Sequence, residues 1–270
     1  MSELVFLKLG GSLITDKTRE ATPRPDVLSR LAAEIAQARA ARPDLRLLLG
    51  HGSGSFGHVV GRRYGTRAGV RDAQGWRGFA ETAAAAARLN RLVTDTLLAA
   101  GVPAWSLQPS ASARCHDGEL RELDARPISE ALARGLVPLV YGDVALDDVR
   151  GGTIISTEEI FAWLAPHLFP ARIILLGVVD GVYSSDPLRD PSAQRWPRLT
   201  PADVAQSGGA LGGSYGVDVT GGMLAKVRAM AALVEALPGL QVRLASGEIA
   251  GQLSQLLTDP SCDAGTLLAA

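Results

Sequence analysis

A mainly parallel α/β fold is what this sequence predicts. Short apolar runs end in glycine and are each followed by a longer stretch of helical periodicity, the pattern of βαβ units. The runs are continuous rather than alternating, as strands covered on both faces are. At 270 residues, 47% of them hydrophobic, the chain suffices for one large domain or two closely packed lobes around a buried core.

Residues 4–9 form the first apolar run, a strand. Over 26–41, leucines, isoleucine and alanines fall on one side and charges on the other, which predicts a helix, and 45–49 returns as a buried strand. HGSGSFGH, residues 51–58, reads as a loop. A long alanine-rich helix is predicted over 78–100, stopped by Gly101 and Pro103, with a strand over 104–107. Residues 137–141 read as another buried strand running into Gly142 and Asp143. ALDDVRGGTII then reads as a hairpin with Arg150, Gly151 and Gly152 at or beside its turn. A helix follows over 156–168 with Glu158 and Glu159 in its first turn, where the helix dipole favours acids. After a strand over 172–179 comes the turn DGVYSSDP, and four prolines predict a surface loop over 186–201. SGGALGGSYGVDVTGG, residues 207–222, is the most glycine-dense segment and is expected to be mobile without a ligand. A helix over 226–237 and a strand over 241–245 complete the order.

Charge and cysteine content exclude several functions. A net charge of -1 and a pI near 6.4, with no face concentrating basic residues, argue against a nucleic-acid partner. The densest basic patch, RRYGTR at 62–67, reads as a solvated loop or pocket rim. Cys115 and Cys262 lie far apart without metal-ligand spacing, so they are expected to be unpaired thiols in a reducing cytosol, and no protein metal site is indicated. The amino terminus lacks the pattern of a secretory signal, and no apolar stretch reaches the roughly 20 residues of a membrane span. A cytoplasmic location is the expectation.

Chemistry is concentrated in the lysines and glycines. Of 27 basic residues only Lys8, Lys17 and Lys226 are lysines, and they lie in KLGGS, LITDK and TGGMLAK, in or beside glycine-rich segments. An ammonium is a compact charge on a flexible stem, suited to a crowded, moving phosphoryl group. Glycines directly after a strand let backbone N–H groups approach an anion, and a following helix adds its positive end. KLGGS and HGSGSFGH both fit, and at the ends of the first two strands they open on one sheet edge, placed to grip two phosphate groups. Gly52, Gly54 and Gly57 match the spacing G-x-G-x-x-G, but no suitably placed ribose acid supports a dinucleotide site. His51 reads as structural, and His116 and His167 as surface residues.

Five ordered segments resemble the amino acid kinase family: VFLKLGGSLITDK at 5–17, GHGSGSFGH at 50–58, YGD at 141–143, DGVYSSDP at 180–187 and DVTGGMLAK at 218–226. Within it, SFGH resembles the isopentenyl phosphate kinases. The resemblance spans nearly the whole chain. It implies an open αβα sandwich, an acceptor-binding amino-terminal lobe over about 1–155 and a nucleotide-binding carboxy-terminal lobe over about 156–270. It further implies ATP with Mg²⁺, a small-molecule phosphate acceptor and a homodimer. By position, Lys8, Gly10, Gly11 and Ser12 match the loop that meets the ATP phosphates. Lys17 matches the lysine that stabilises the transition state, and His58 the histidine that marks phosphate or phosphonate acceptors. Gly52, Gly57 and Gly142 match substrate-side backbone positions. Ser53, Asp180, Gly222 and Lys226 fall on the nucleotide side. Two positions depart from the pattern: Val178 stands where an acid is usual, and Glu158 stands where an aspartate orders the lysines. The implied reaction is phosphorylation of isopentenyl phosphate. A kinase for another phosphate or phosphonate, such as fosfomycin, and a non-catalytic nucleotide sensor are the alternatives.

Overall fold

The computed structural model describes residues 2–185, 187, 190–206 and 222–270. The first half runs β1 (Leu4–Leu9), α1 (Gly11–Ile14), α2 (Pro25–Ala41), β2 (Arg46–His51), α3 (Gly54–Tyr64), α4 (Ala73–Ala99), β3 (Ala104–Ser106), β4 (Arg114–His116), β5 (Glu119–Glu122), α5 (Arg126–Ala133), β6 (Val137–Tyr141), β7 (Asp143–Asp147) and β8 (Gly151–Ile155). The second runs α6 (Thr157–Leu168), β9 (Arg172–Gly177), β10 (Val182–Tyr183), β11 (Arg195–Trp196), β12 (Arg198–Leu199), α7 (Pro201–Gln206), α8 (Gly222–Ala236), β13 (Gln241–Ser246), α9 (Gln252–Thr258) and β14 (Thr266–Leu268).

Eight strands form the main sheet in the order β12-β14-β13-β9-β1-β2-β6-β3. Neighbours are parallel throughout except β13 with β14. Period two then sorts β1 between two cores. Val5, Leu7 and Leu9 pack with Leu31 of α2, Phe56 of α3, Leu89 of α4 and Leu256 of α9. Leu4 and Phe6 pack with Ile128 of α5, Phe161 of α6 and Val227 of α8. Each fully buried leucine in these rows contributes about 1.5–3 kcal/mol. Helices therefore cover both faces, and the expected open αβα sandwich is what forms. A second sheet, β5-β4-β7-β8, holds the expected hairpin as β7 and β8, antiparallel from Asp143↔Ile155 to Asp147↔Gly151.

Several boundaries differ from expectation, each for a local reason. HGSGSFGH is mostly helix: α3 opens at Gly54, whose φ of +50 makes the turn. Helix α4 starts five residues before the predicted position because Asp72 caps it, its carboxylate accepting from Gly75 N at 2.7 Å. The strand over 172–179 stops at Gly177. The predicted loop over 186–201 contains the short strands β11 and β12 among its described residues. Helix α8 begins at Gly222 rather than Lys226. The expectation for the glycine-dense 207–222 segment falls, apart from the Gly222 backbone, outside the described residues.

Chain order makes β1 the switch point of the sheet. From β1 the chain passes through α2 to β2 on one side, while β9, its other neighbour, leads through α8 to β13 in the opposite direction. Parallel sheets open a crevice at the carboxyl ends of such strands.

Candidate active site

The carboxyl ends of β1, β2 and β9 and the start of α6 line a cleft there. Lys8 continues the row Leu4, Phe6, so it points to the α6 and α8 side of the sheet. Its Nζ donates to Glu158 Oε1 at 2.6 Å, with both side chains less than one-tenth exposed. Lys226, one turn into α8, brings its Nζ to 3.9 Å from the same oxygen. Burial by itself would raise the Glu158 carboxyl, but Lys8 and Lys226 together hold it below its ordinary value. It is ionised at neutral pH. With Lys17 also on the wall, the charged side chains lining the cleft among the described residues are three lysines and one carboxylate, an excess of positive charge that suits a polyanion.

The glycine turns after β1 and β2 interlock. A Cβ on Gly11 would stand 2.6 Å from Gly54 N, and one on Gly52 would stand 2.9 Å from Gly11 N. Gly10 approaches β9 as closely, with its N–H donating to Leu176 O at 2.9 Å. Backbone thus packs directly on backbone. Gly11 and Ser12 open α1 ahead of its first bond, from Leu13 N to Gly10 O, and both residues line the cleft.

Helix α6 is held by a complete capping box. Ser156 Oγ accepts from Glu159 N at 3.1 Å, and Glu159 Oε2 accepts from Ser156 N at 2.6 Å. Thr157 Oγ1 donates to His51 O at 2.6 Å, which ties the helix start to the end of β2. His51 itself is buried, stacked on Tyr141 with ring centroids 5.5 Å apart, and burial pushes its pKa down to about 4. A neutral ring has one N–H, and we assign it to Nδ1, which lies 3.1 Å from Gly52 O. Nε2 stands 3.2 Å from Asn90 Oδ1, so the Asn90 amide serves it best turned over, with Ser106 Oγ on its far side able to donate to the oxygen.

Lys17 sits in the connection between α1 and α2, and His58 is the fifth residue of α3; both are partly buried and line the cleft. Gly142 borders it where β6 passes into β7, its N–H donating to His51 O at 3.1 Å. The remaining walls are largely apolar: Ile154 and Ile155 of β8, then Leu175, Leu176, Val178, Val179, Met223, Leu244 and Ala245. Among the described residues no group of three or more His, Cys, Asp or Glu side chains converges to hold a metal ion, and no helix is long and apolar enough to cross a membrane.

Comparison with known proteins assigns this architecture. The amino acid kinase family matches residues 3–246. The chain belongs to the amino acid kinase family. Among its relatives, the isopentenyl phosphate kinase of Methanothermobacter thermautotrophicus is 36% identical over 261 residues, covering 94% of this chain and 95% of that one. The isopentenyl phosphate kinase of Haloferax volcanii is 38% identical over 234 residues, covering 85% and 88%. A solved X-ray structure of isopentenyl phosphate kinase superposes with a TM-score of 0.84 at 33% identity, covering 98% of this chain and all of the other.

In this amino acid kinase the cleft brings together Lys8, Gly10, Gly11, Ser12, Lys17, Gly52, Ser53, His58, Gly142, Glu158 and Lys226. Among the described side chains and backbone, the expected members Asp180 and Gly57 are not on its wall. The Asp180 carboxylate is engaged by neighbours: Tyr183 Oη donates to its Oδ1 at 2.6 Å, and Arg195 Nε lies 3.7 Å from its Oδ2. Gly57 is a packing position, where a Cβ would stand 2.6 Å from the Ser53 Cβ. Gly222 opens α8 one turn before Lys226. The alanine stripe of α4 packs in the interior, with Ala85 and Ala86 buried. Sequence reasoning did not single out Ile154, Ile155 or Thr157. For Thr157 a signal existed, a hydroxyl one place after a helix cap.

Proposed function

We propose that this kinase transfers the γ-phosphoryl group of Mg²⁺-ATP to isopentenyl phosphate, forming isopentenyl diphosphate and ADP. The observation that carries the reading is full-length similarity to isopentenyl phosphate kinases together with His58 on the same cleft wall as Lys8 and Lys17. An acceptor phosphate oxygen attacks the γ-phosphorus, the bond to the β–γ bridging oxygen breaks, and ADP leaves with that electron pair. The acceptor is already anionic, so no general base is required. What the protein supplies is alignment and charge. Lys8 and Lys17 neutralise charge on the transferred group, and Lys226 with Gly10, Gly11, Ser12 and Ser53 serves the nucleotide. Gly52 and Gly142 border the acceptor, to which His58 donates a hydrogen bond at a non-attacking oxygen. Mg²⁺ enters as part of the nucleotide substrate, since Glu158, the one acid lining the cleft among the described residues, is committed to Lys8 and Lys226. The acceptor half over about 1–155, the nucleotide half over about 156–270, a homodimeric assembly and a cytoplasmic location belong to the same proposal.

The test is ADP release with Mg²⁺-ATP and isopentenyl phosphate, run beside dimethylallyl phosphate, fosfomycin, glutamate and no acceptor. Turnover is expected to be strongest on isopentenyl phosphate, and His58→Ala is expected to lower kcat/KM for it about a hundredfold. Turnover on fosfomycin or glutamate with none on isopentenyl phosphate would overturn the acceptor.

A further inference from the structure

Ser55 sits in the first turn of α3, between the cleft and the connection that carries Lys17, and is almost wholly buried. Its three polar groups all engage that connection. The Ser55 N–H donates to Thr15 Oγ1 at 3.0 Å, its carbonyl accepts from Ala21 N at 3.2 Å, and its Oγ accepts from Thr22 N at 3.2 Å. Thr15 Oγ1 in turn donates to Gly11 O at 2.6 Å. Thus Thr15, two residues before Lys17, supplies α3 with the side-chain cap that Ser53 does not make. Ala21 and Thr22, four and five residues after Lys17, return to the same serine. Asp16 N closes the connection on itself through Thr22 O at 2.9 Å. Both ends of a short, otherwise exposed segment, with Thr18, Arg19, Glu20 and Ala21 at the surface, are therefore fastened to one buried residue. Three residues further along the same helix is His58.

We infer that Ser55 is a positioning residue that sets Lys17 relative to His58, so that the lysine on the transferred phosphoryl group and the histidine on the acceptor move as one body. The inference rests on the proposed reaction for the roles of those two groups, and on the observed hydrogen bonds for their coupling. Phosphoryl transfer is sensitive to such coupling, because a displacement of about 1 Å in an aligned group can cost as much as a hundredfold in rate. A second link, Arg63 to Glu20 at 3.1 Å, lies in solvent with both side chains about half exposed, and contributes little.

The experiment is a double-mutant cycle with Ser55→Ala and Lys17→Ala on the full chain, with Arg63→Ala as control. Ser55→Ala removes the Oγ link to Thr22 and keeps the two backbone bonds, and is expected to lower kcat by about tenfold in the parent while KM for ATP and acceptor stays within about twofold. In the Lys17→Ala background it is expected to change kcat by less than about twofold, because the group it positions is gone. Arg63→Ala is expected to leave kcat unchanged. Amide hydrogen exchange of residues 16–22 is expected to accelerate in Ser55→Ala while β1 and β2 stay protected. Equal losses in both backgrounds, no loss in the parent, or unchanged exchange over 16–22 would each overturn the inference. If the parent fails to turn over isopentenyl phosphate, the proposed reaction falls. The exchange measurement then decides the positioning inference without reference to any acceptor.

Discussion

Two ammonium groups converge on one carboxylate oxygen in the cleft, and the residue that accepts them is a glutamate. Its longer stem lets Oε1 reach Lys8 at 2.6 Å while remaining within 3.9 Å of Lys226. Removing a charge from a buried pair leaves the partner uncompensated, which costs about 3–5 kcal/mol. Glu158→Gln is therefore expected to lower unfolding stability by about 3 kcal/mol in the absence of nucleotide, at the low end of that range because the amide oxygen can still accept from Lys8. Mg²⁺-ATP is expected to restore part of the loss by supplying phosphate to both lysines. Urea midpoints with and without Mg²⁺-ATP check this; a loss of equal size in both conditions would mean that Glu158 orders something other than the lysines. The lysines were legible because arginine supplies every other basic position, and Glu158 through its match to the lysine-ordering position of the family pattern. Asp180, expected on the nucleotide side, has its carboxylate engaged by Tyr183 and Arg195, and Tyr183 itself lines the cleft. Ser55 was invisible as a fastener because its partners lie 33 to 40 residues away.

Helix α6 presents Glu158 to the cleft, and its start is fastened from outside by the turn after α3. Arg67 Nη2 and Nη1 meet the Glu159 carboxylate at 2.7 and 3.2 Å, and Nη1 also donates to Ile154 O. The same carboxylate closes the capping box on Ser156. One guanidinium thus links β8, the cap and the helix, a fork that an ammonium cannot reproduce. Arg67→Ala is expected to cost about 1–2 kcal/mol, from a partly exposed ion pair and the loss of a donor to a backbone carbonyl. Arg67→Lys is expected to recover less than half of it. Denaturant midpoints of the two variants measure the difference, and full recovery by lysine would show that charge alone matters. The start of α6 was legible from its acidic first turn, and the β7–β8 hairpin from its glycines, while the capping box of Ser156 and Glu159 escaped. The region from 108 to 136 carried no assignment, because β4 and β5 have only three and four residues and show no sustained period. The small elements α9 and β14 escaped for the same reason, being held by tertiary contacts: Glu34 Oε2 accepts from Leu253 N and Ser254 N at the start of α9.

Over the whole molecule, the existence of the central buried strands was legible and strand order was not, since continuous apolar runs say that a strand is buried without naming its neighbours. The order that forms places β1 between β2 and β9, which brings His51 at the end of β2 into the interior beside the lysine-lined cleft. That placement has a consequence for acid stability. Burial, with a contribution from the Lys8 charge, lowers the His51 pKa to about 4, against about 6.5 in an unfolded chain. Between those values the unfolded state binds a proton that the folded state refuses, so stability is full above about pH 6.5 and declines as pH falls toward 4. The full difference corresponds to about 3 kcal/mol. Glu158 adds to the loss only further down: its carboxyl is held low by the lysines, so its contribution is present above about pH 4.3 and disappears as pH falls through its folded value. Asp143 works in the opposite sense, because burial raises its carboxyl and the folded state therefore binds its proton more readily than the unfolded chain. The decline between pH 6.5 and 4.5 is accordingly assigned to His51. Urea unfolding of the parent at pH 7.5, 5.5 and 4.5 is expected to show falling stability, and His51→Gln, less stable at pH 7.5, is expected to show a flatter dependence across the same range. The slope rather than the absolute stability is the test, and an unchanged slope in the variant would place the acid sensitivity elsewhere in the fold.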